Sequence, residues 1–242
     1  VLSGLSMYLL AKNLAGSLFG LTASLYYLYA PYPAVNIYIR GAVGEYYAYA
    51  FLPLLVLAVF KILKDEKKFL IPGLVGLIGI LLSHNILGLI TLYFLSLFLL
   101  TLMIFSLFKK TVIKKALFLA ILLILGLAGS SFFVIPSFFE RNFTSVNSLI
   151  TGGSKYIDHF VQLPQLWDSP WGFAGSVKGL ADGFSLKIGK IHLITSIISL
   201  FSILCLYLTK KINAGYLISF FLMLLLAALS IFLMLPQSEF IY

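Results

Sequence analysis

Long apolar runs separated by short polar gaps dominate the chain, and the length of those runs is its leading signal. A helix needs about 20 apolar residues, within a range of about 17–25, to cross a bilayer. Runs at 15–30, 43–63, 69–83, 86–108, 116–135, 191–209 and 213–235, with a partial one at 1–11, read as such helices. The connections at 12–14, 64–68, 109–115 and 210–212 are short and basic. The other gaps, 31–42, the Ser83-His84-Asn85 junction and the long stretch 136–190, hold most of the other conspicuous polar residues. The pattern predicts an all-α fold, a polytopic transmembrane helix bundle in three parts. Helices with short loops occupy 1–135, a large extracytoplasmic loop 136–190, and two further transmembrane helices 191–242.

Charge orients this bundle. Eleven of the 17 basic residues, Lys12, Lys61, Lys64, Lys67, Lys68, Lys109, Lys110, Lys114, Lys115, Lys210 and Lys211, fall in alternate gaps or at their edge and face only Asp65 and Glu66. The six in the other gaps are balanced by six acids. The positive-inside rule places the lysine-rich gaps in the cytoplasm and 136–190 outside. The net charge of +9 is thereby explained by topology, and no nucleic-acid partner is expected. With 61% hydrophobic and 10% charged residues, against about 25% charged in soluble domains, the chain belongs in a bilayer. The single cysteine, Cys205, supports neither a disulfide framework nor a cysteine-based metal site. Residues 1–11 read as the end of an apolar helix without the basic start of a signal peptide, and the chain stops just past an apolar run. A fragment of a longer protein, lacking an N-terminal portion, is therefore expected.

The sharpest local chemistry lies in the connection 31–42 and the helix start after it, where Arg40 and Glu45 stand five residues apart. Ionised side chains at a membrane helix end need a partner, a wet cavity or a route to the headgroups. A structural ion pair satisfies that need; the functional alternative is that the Arg40 fork binds a phosphate or carboxylate while Glu45 orients it or binds a sugar hydroxyl. His84 and Asn85 form either a tight polar turn, with the asparagine capping the next helix, or a polar contact to substrate. A lone histidine gives no zinc site.

In 136–190, Pro136 is expected to end a helix, 156–163 to form a short amphipathic helix, and Trp167 and Trp171 to sit at the headgroup layer. The loop is too apolar for a disordered linker. Asn142-Phe143-Thr144 matches a glycosylation acceptor triplet, and no P-loop, dinucleotide fingerprint or nucleophile elbow is present.

Leu5-Ser6-Met7-Tyr8-Leu9-Leu10-Ala11-Lys12, Ala30-Pro31-Tyr32, Tyr38-Ile39-Arg40-Gly41-Ala42-Val43-Gly44-Glu45, Leu82-Ser83-His84-Asn85, Ser169-Pro170-Trp171-Gly172-Phe173 and Asp182-Gly183-Phe184-Ser185-Leu186-Lys187-Ile188-Gly189 come in an order that resembles a group of proteins. These are bacterial multi-pass proteins of the "6-pyruvoyl-tetrahydropterin synthase-related" membrane family, similar to the GT-C superfamily of polyprenyl-phosphate-dependent glycosyltransferases. The resemblance covers residues 1–235. It implies a GT-C-like bundle in a bacterial cytoplasmic membrane and transfer of a sugar from a lipid-phosphate-linked donor to an extracytoplasmic acceptor. Arg40 would hold the phosphate, and Glu45, His84, Asn85, Trp171 and Asp182 would line the substrate site. Such chemistry allows a divalent metal, but no ligand set is visible and no cofactor is identified. The catalytic acid of that superfamily usually lies in the first outer loop, which would precede Val1, so none is assigned. A transporter or flippase for a lipid-linked or anionic solute, and a non-catalytic membrane scaffold, are the competing readings; the oligomeric state is left open.

Overall fold

A computed structural model describes residues 1–145, 156–181 and 183–241, and every regular element among them is helical. The helices are α1 (Leu2–Ala15), α2 (Ser17–Leu28), α3 (Pro31–Tyr38), α4 (Val43–Leu63), α5 (Leu70–Ser83), α6 (Asn85–Phe108), α7 (Ile113–Phe139), α8 (Leu163–Trp167), α9 (Lys190–Leu208) and α10 (Ala214–Met234). Five helical segments, Val43–Leu63, Asn85–Phe108, Lys110–Phe139, Lys190–Leu208 and Ala214–Met234, are long and apolar enough to cross a membrane. Five of the seven full runs in the sequence thus become helices long enough for an integral membrane protein, whereas the run at 15–30 yields only α2, of 12 residues, and the connection expected at 12–14 lies inside α1. α1 and α5, at 14 residues each, span only about 21 Å, short of a hydrocarbon core of about 30 Å.

The chain forms two compact units, one of Val1–Tyr29 with Gly41–Val146 and one of Ala30–Arg40 with Asn147–Tyr242. This division cuts across the expected three-part organisation, because the segment at 30–40 joins the C-terminal part of the chain.

In the first unit, α4, α5 and α7 build the core. Ala48, Leu55 and Ile62 recur every seven residues, so they line one face of α4. They meet Leu77, Ile80 and Leu81 of α5 and Leu119, Leu122 and Leu123 of α7. Small residues let the backbones approach: a Cβ at Gly76 would stand 2.9 Å from the backbone nitrogen of Leu55, and one at Gly73 would stand 3.0 Å from the Cβ of Ala58. α1 packs on α2 and α4, and Tyr27 Oη of α2 donates a hydrogen bond to the Tyr49 carbonyl of α4 at 2.8 Å.

In the second unit, α9 and α10 are joined through Lys210 and Lys211, and neither helix buries a residue. Residues 156–181 and 183–189 are held by backbone hydrogen bonds within the segment and by one to the end of α10. Val161 N donates to the Met234 carbonyl at the end of α10 at 2.8 Å, and Ile188 N donates to the Leu166 carbonyl at 3.0 Å. Gly183 N donates to the Gly175 carbonyl and Ala174 N to the Gly183 carbonyl, each at 3.0 Å.

Three further sequence expectations need correction. Residues 31–42 are not a plain connection, because α3 fills most of them. Pro136 does not end a helix: α7 runs on to Phe139. A proline so close to the C-terminus removes one backbone donor and leaves the last turn intact. The expected amphipathic helix at 156–163 is instead a 3-10 turn at Tyr156–Asp158, an extended link, and α8 beginning at Leu163. Pro164 suits the first turn of a helix but not its interior, so helix starts there.

Candidate functional site

α3 positions the first cluster. Pro31 and Pro33 stand in its first turn, where backbone N–H groups have no partner within the helix, so two prolines cost it no hydrogen bond. Tyr32, Asn36 and Arg40 follow at intervals of four, which stacks them on one side. At the end of the helix both Ile39 N and Arg40 N donate to the Val35 carbonyl at 3.0 Å.

The Nη1 amino group of Arg40 donates to Tyr32 Oη at 2.8 Å and to Asn36 Oδ1 at 2.7 Å. The guanidinium also lies over two aromatic rings, Tyr32 at 5.8 Å and Phe184 at 5.9 Å from the ring centres. A delocalised, weakly hydrated cation is well matched to such a setting. Asn36 is wholly buried, and its Nδ2 has no hydrogen-bond partner among the described residues. A buried amide donor left unpaired costs about 1–3 kcal/mol, so an acceptor within its reach would be bound with gain. A fixed arginine beside an unspent amide donor is an arrangement suited to an anion with several oxygens, such as a phosphate. Phe184 belongs to the segment around Asp182, which itself lies outside the described residues.

Glu45, His84 and Asn85 gather at one end of the first unit. Glu45 occupies the first turn of α4, where the helix dipole favours a carboxylate, and it is 7% exposed. Tyr49 Oη, one turn on, donates to Glu45 Oε1 at 3.3 Å. Gly44 presses against the Ser83 carbonyl, which seats the start of α4 at the junction of α5 and α6. There His84 is extended and its Nδ1 accepts from Leu87 N at 3.2 Å, capping α6. The cap is therefore His84, and Asn85, in the first helical turn, is exposed. The expected set thus falls into groups described separately, with Arg40 and Trp171 in the second unit and Glu45, His84 and Asn85 in the first.

Trp171 is 44% exposed, and beside it Gly172 packs directly on the Gly183 carbonyl. Buried Ser169 and Ser185 approach through their hydroxyls at 3.2 Å, and Ser169 Oγ also accepts from Leu186 N at 2.8 Å. Lys190 pairs with Asp168 at 3.5 Å and sits over the Trp167 ring at 5.8 Å. Among the described residues no three His, Cys, Asp or Glu side chains group as a metal site. Asn36 was not among the residues singled out from the sequence, and Phe184 entered only as part of the 182–189 motif, with no site role given to it. The four-residue spacing of Tyr32, Asn36 and Arg40 is the signal that points to Asn36 once 31–38 is read as helix; nothing in the sequence paired Phe184 with Arg40. No protein family, curated protein or solved structure matches the chain.

Proposed function

We propose that this integral membrane protein is a GT-C-like glycosyltransferase that moves a sugar from a polyprenyl-phosphate donor to an extracytoplasmic acceptor. The observation that carries the reading is the Arg40 cluster. A guanidinium held by Tyr32 and Asn36 and flanked by two rings, with the buried Asn36 Nδ2 beside it, supplies directional donors for a phosphate. Apolar helices long enough to cross a membrane suit a donor with a polyprenyl tail. A transporter would place ionisable side chains near the middle of its spans. Among the described charges, Lys12, Glu45 and Lys61 stand in the first or last turn of their helices, which favours chemistry at a membrane face.

Binding of a polyprenyl monophosphate, and of the parent polyprenol as neutral control, to the protein in lipid nanodiscs tests the reading. Arg40→Gln is expected to weaken the phosphate ligand by about 10–100-fold, the equivalent of a charged hydrogen-bonding partner, and to leave polyprenol binding unchanged. Equal affinity of wild type and variant for the phosphate would remove the basis of the assignment. Release of polyprenyl phosphate from a glycosylated donor, lost in Arg40→Gln, then separates catalysis from binding alone.

A further inference from the structure

The first unit carries a groove that the sugar-transfer reading does not use. It has a volume of about 450 Å³ and lies between α4 and α6, both of which pack on α5. Its floor is Leu55 and Ile80, which are 2% and 1% exposed, and its open rims are Leu52 and Val56 on one side and Ile90 and Phe94 on the other. The lining runs along α4 from Ala48 to Leu63, about 22 Å at the helical rise, and is almost wholly hydrocarbon. Both flanking helices are of membrane-spanning length, so the groove opens toward the acyl chains of a bilayer.

One end of the groove is strongly cationic. Phe60 and Leu63 line it there, and Lys64 Nζ lies 4.4 Å from the centre of the Phe60 ring. Lys67 and Lys68 follow on the 3-10 turn after α4. Two other lysines of this end are already paired, Lys61 with Glu66 at 2.7 Å and Lys115 with Asp65 at 3.9 Å. Lys64, Lys67 and Lys68 have no carboxylate partner among the described residues. The field of Lys64 and Lys68 is visible in Glu66, whose carboxyl is held below the usual range by the Lys61 hydrogen bond and then by the charges of Lys61, Lys68 and Lys64.

We propose that this groove is a binding site for an anionic phospholipid, with one acyl chain between α4 and α6 and the phosphate at Lys64 and Lys68. Apolar lining selects a chain, and three lysines without acidic partners select a negative headgroup over a zwitterionic one. The position of Lys64 over a ring that lines the groove ties the two selections to one molecule. The occupant is a lipid of the leaflet at the basic end of the unit. It is independent of any ligand at Arg40, which belongs to the second unit.

Native mass spectrometry of the purified protein, released from micelles after incubation with phosphatidylglycerol or with phosphatidylcholine of the same chains, tests this. The wild type should retain phosphatidylglycerol preferentially, and Lys64→Gln with Lys68→Gln should lower that retention by about fivefold per lysine, to the level of phosphatidylcholine. Thr91→Phe and, separately, Val56→Phe fill the groove from opposite walls and should lower retention of both lipids while the lysines remain. Melting temperature and helical circular dichroism identify any variant that fails to fold, and the two filling variants are unlike enough to serve as each other's control. Undiminished phosphatidylglycerol retention in both folded filling variants would show headgroup binding to surface lysines alone and overturn the proposal. So would a preference that survives loss of both lysines, or a wild-type dimer that the filling variants dissociate.

Discussion

At the scale of single residues, the charges in this chain are defined by what surrounds them. Arg40 has its orientation set by Tyr32 and Asn36, whereas Lys61 is spent on Glu66 at 2.7 Å. Glu66 has its carboxyl pulled down, first by the Lys61 hydrogen bond and then by the charges of Lys61, Lys68 and Lys64. A carboxylate with a lowered folded-state pKa contributes stability that is complete above its ordinary value of 4.5 and is lost as pH falls through the lowered value. Glu66→Gln should therefore melt below wild type at pH 7, and the gap should close as the sample is acidified past that range. A gap that stays constant down to strong acid would mean that the Lys61–Glu66 contact contributes nothing through charge. The sequence displayed Arg40 and Glu45 as conspicuous ions but not their different surroundings. A buried asparagine and a stacking phenylalanine distant in sequence become partners only when α3 and the 183–189 segment are folded.

Among elements, the membrane-length helices were legible because a run of about 20 apolar residues has few alternatives. The run at 43–63 is α4 residue for residue, and 86–108 differs from α6 by one position. α3 was obscured by its two prolines, which mark loops in most contexts but are tolerated in a first turn. Close packing on α5 was likewise present in the spacing of Gly73, Gly76 and Gly79, all on the side that meets α4, but apolar length masked it. A Cβ at Gly76 would lie 2.9 Å from Leu55 N and 3.1 Å from Leu55 Cα, and backbone atoms cannot swing away. Gly76→Ala should destabilise the first unit by about 1–3 kcal/mol through overpacking. Gly175→Ala, where nothing lies within 4 Å of the added carbon, should leave the melting temperature within error of wild type. Thermal unfolding in one detergent, read by near-ultraviolet circular dichroism, compares them. Equal stability of the two variants would mean that α4 and α5 are not in close contact at this glycine.

For the whole molecule, the exposed apolar surface decides the solvent. α10, from Ala214 to Met234, buries none of its 21 residues, and Phe221, Leu222, Leu225 and Leu226 are each about half exposed or more. Such faces are stable in hydrocarbon and would aggregate in water. α7 offers the cleanest test of how the chain crosses, because both of its flanks belong to the first unit. Its 27 residues extend about 40 Å, beyond the hydrocarbon thickness of about 30 Å, which is long enough for its two ends to emerge at opposite faces. Lys109, Lys110, Lys114 and Lys115 crowd the first end, while Glu140 lies beyond the last and offsets the neighbouring Arg141. The positive-inside bias predicts the lysine end on the cytoplasmic side. In a Cys205→Ala background, Asn142→Cys should react with an impermeant maleimide on intact cells, and Lys110→Cys only after permeabilisation. Asn142 and Lys110 are both exposed, so protection of either cannot come from burial within the fold. Reaction of both on intact cells would mean that α7 does not cross; reversed labelling would invert the bundle and place the phospholipid groove's basic end outside.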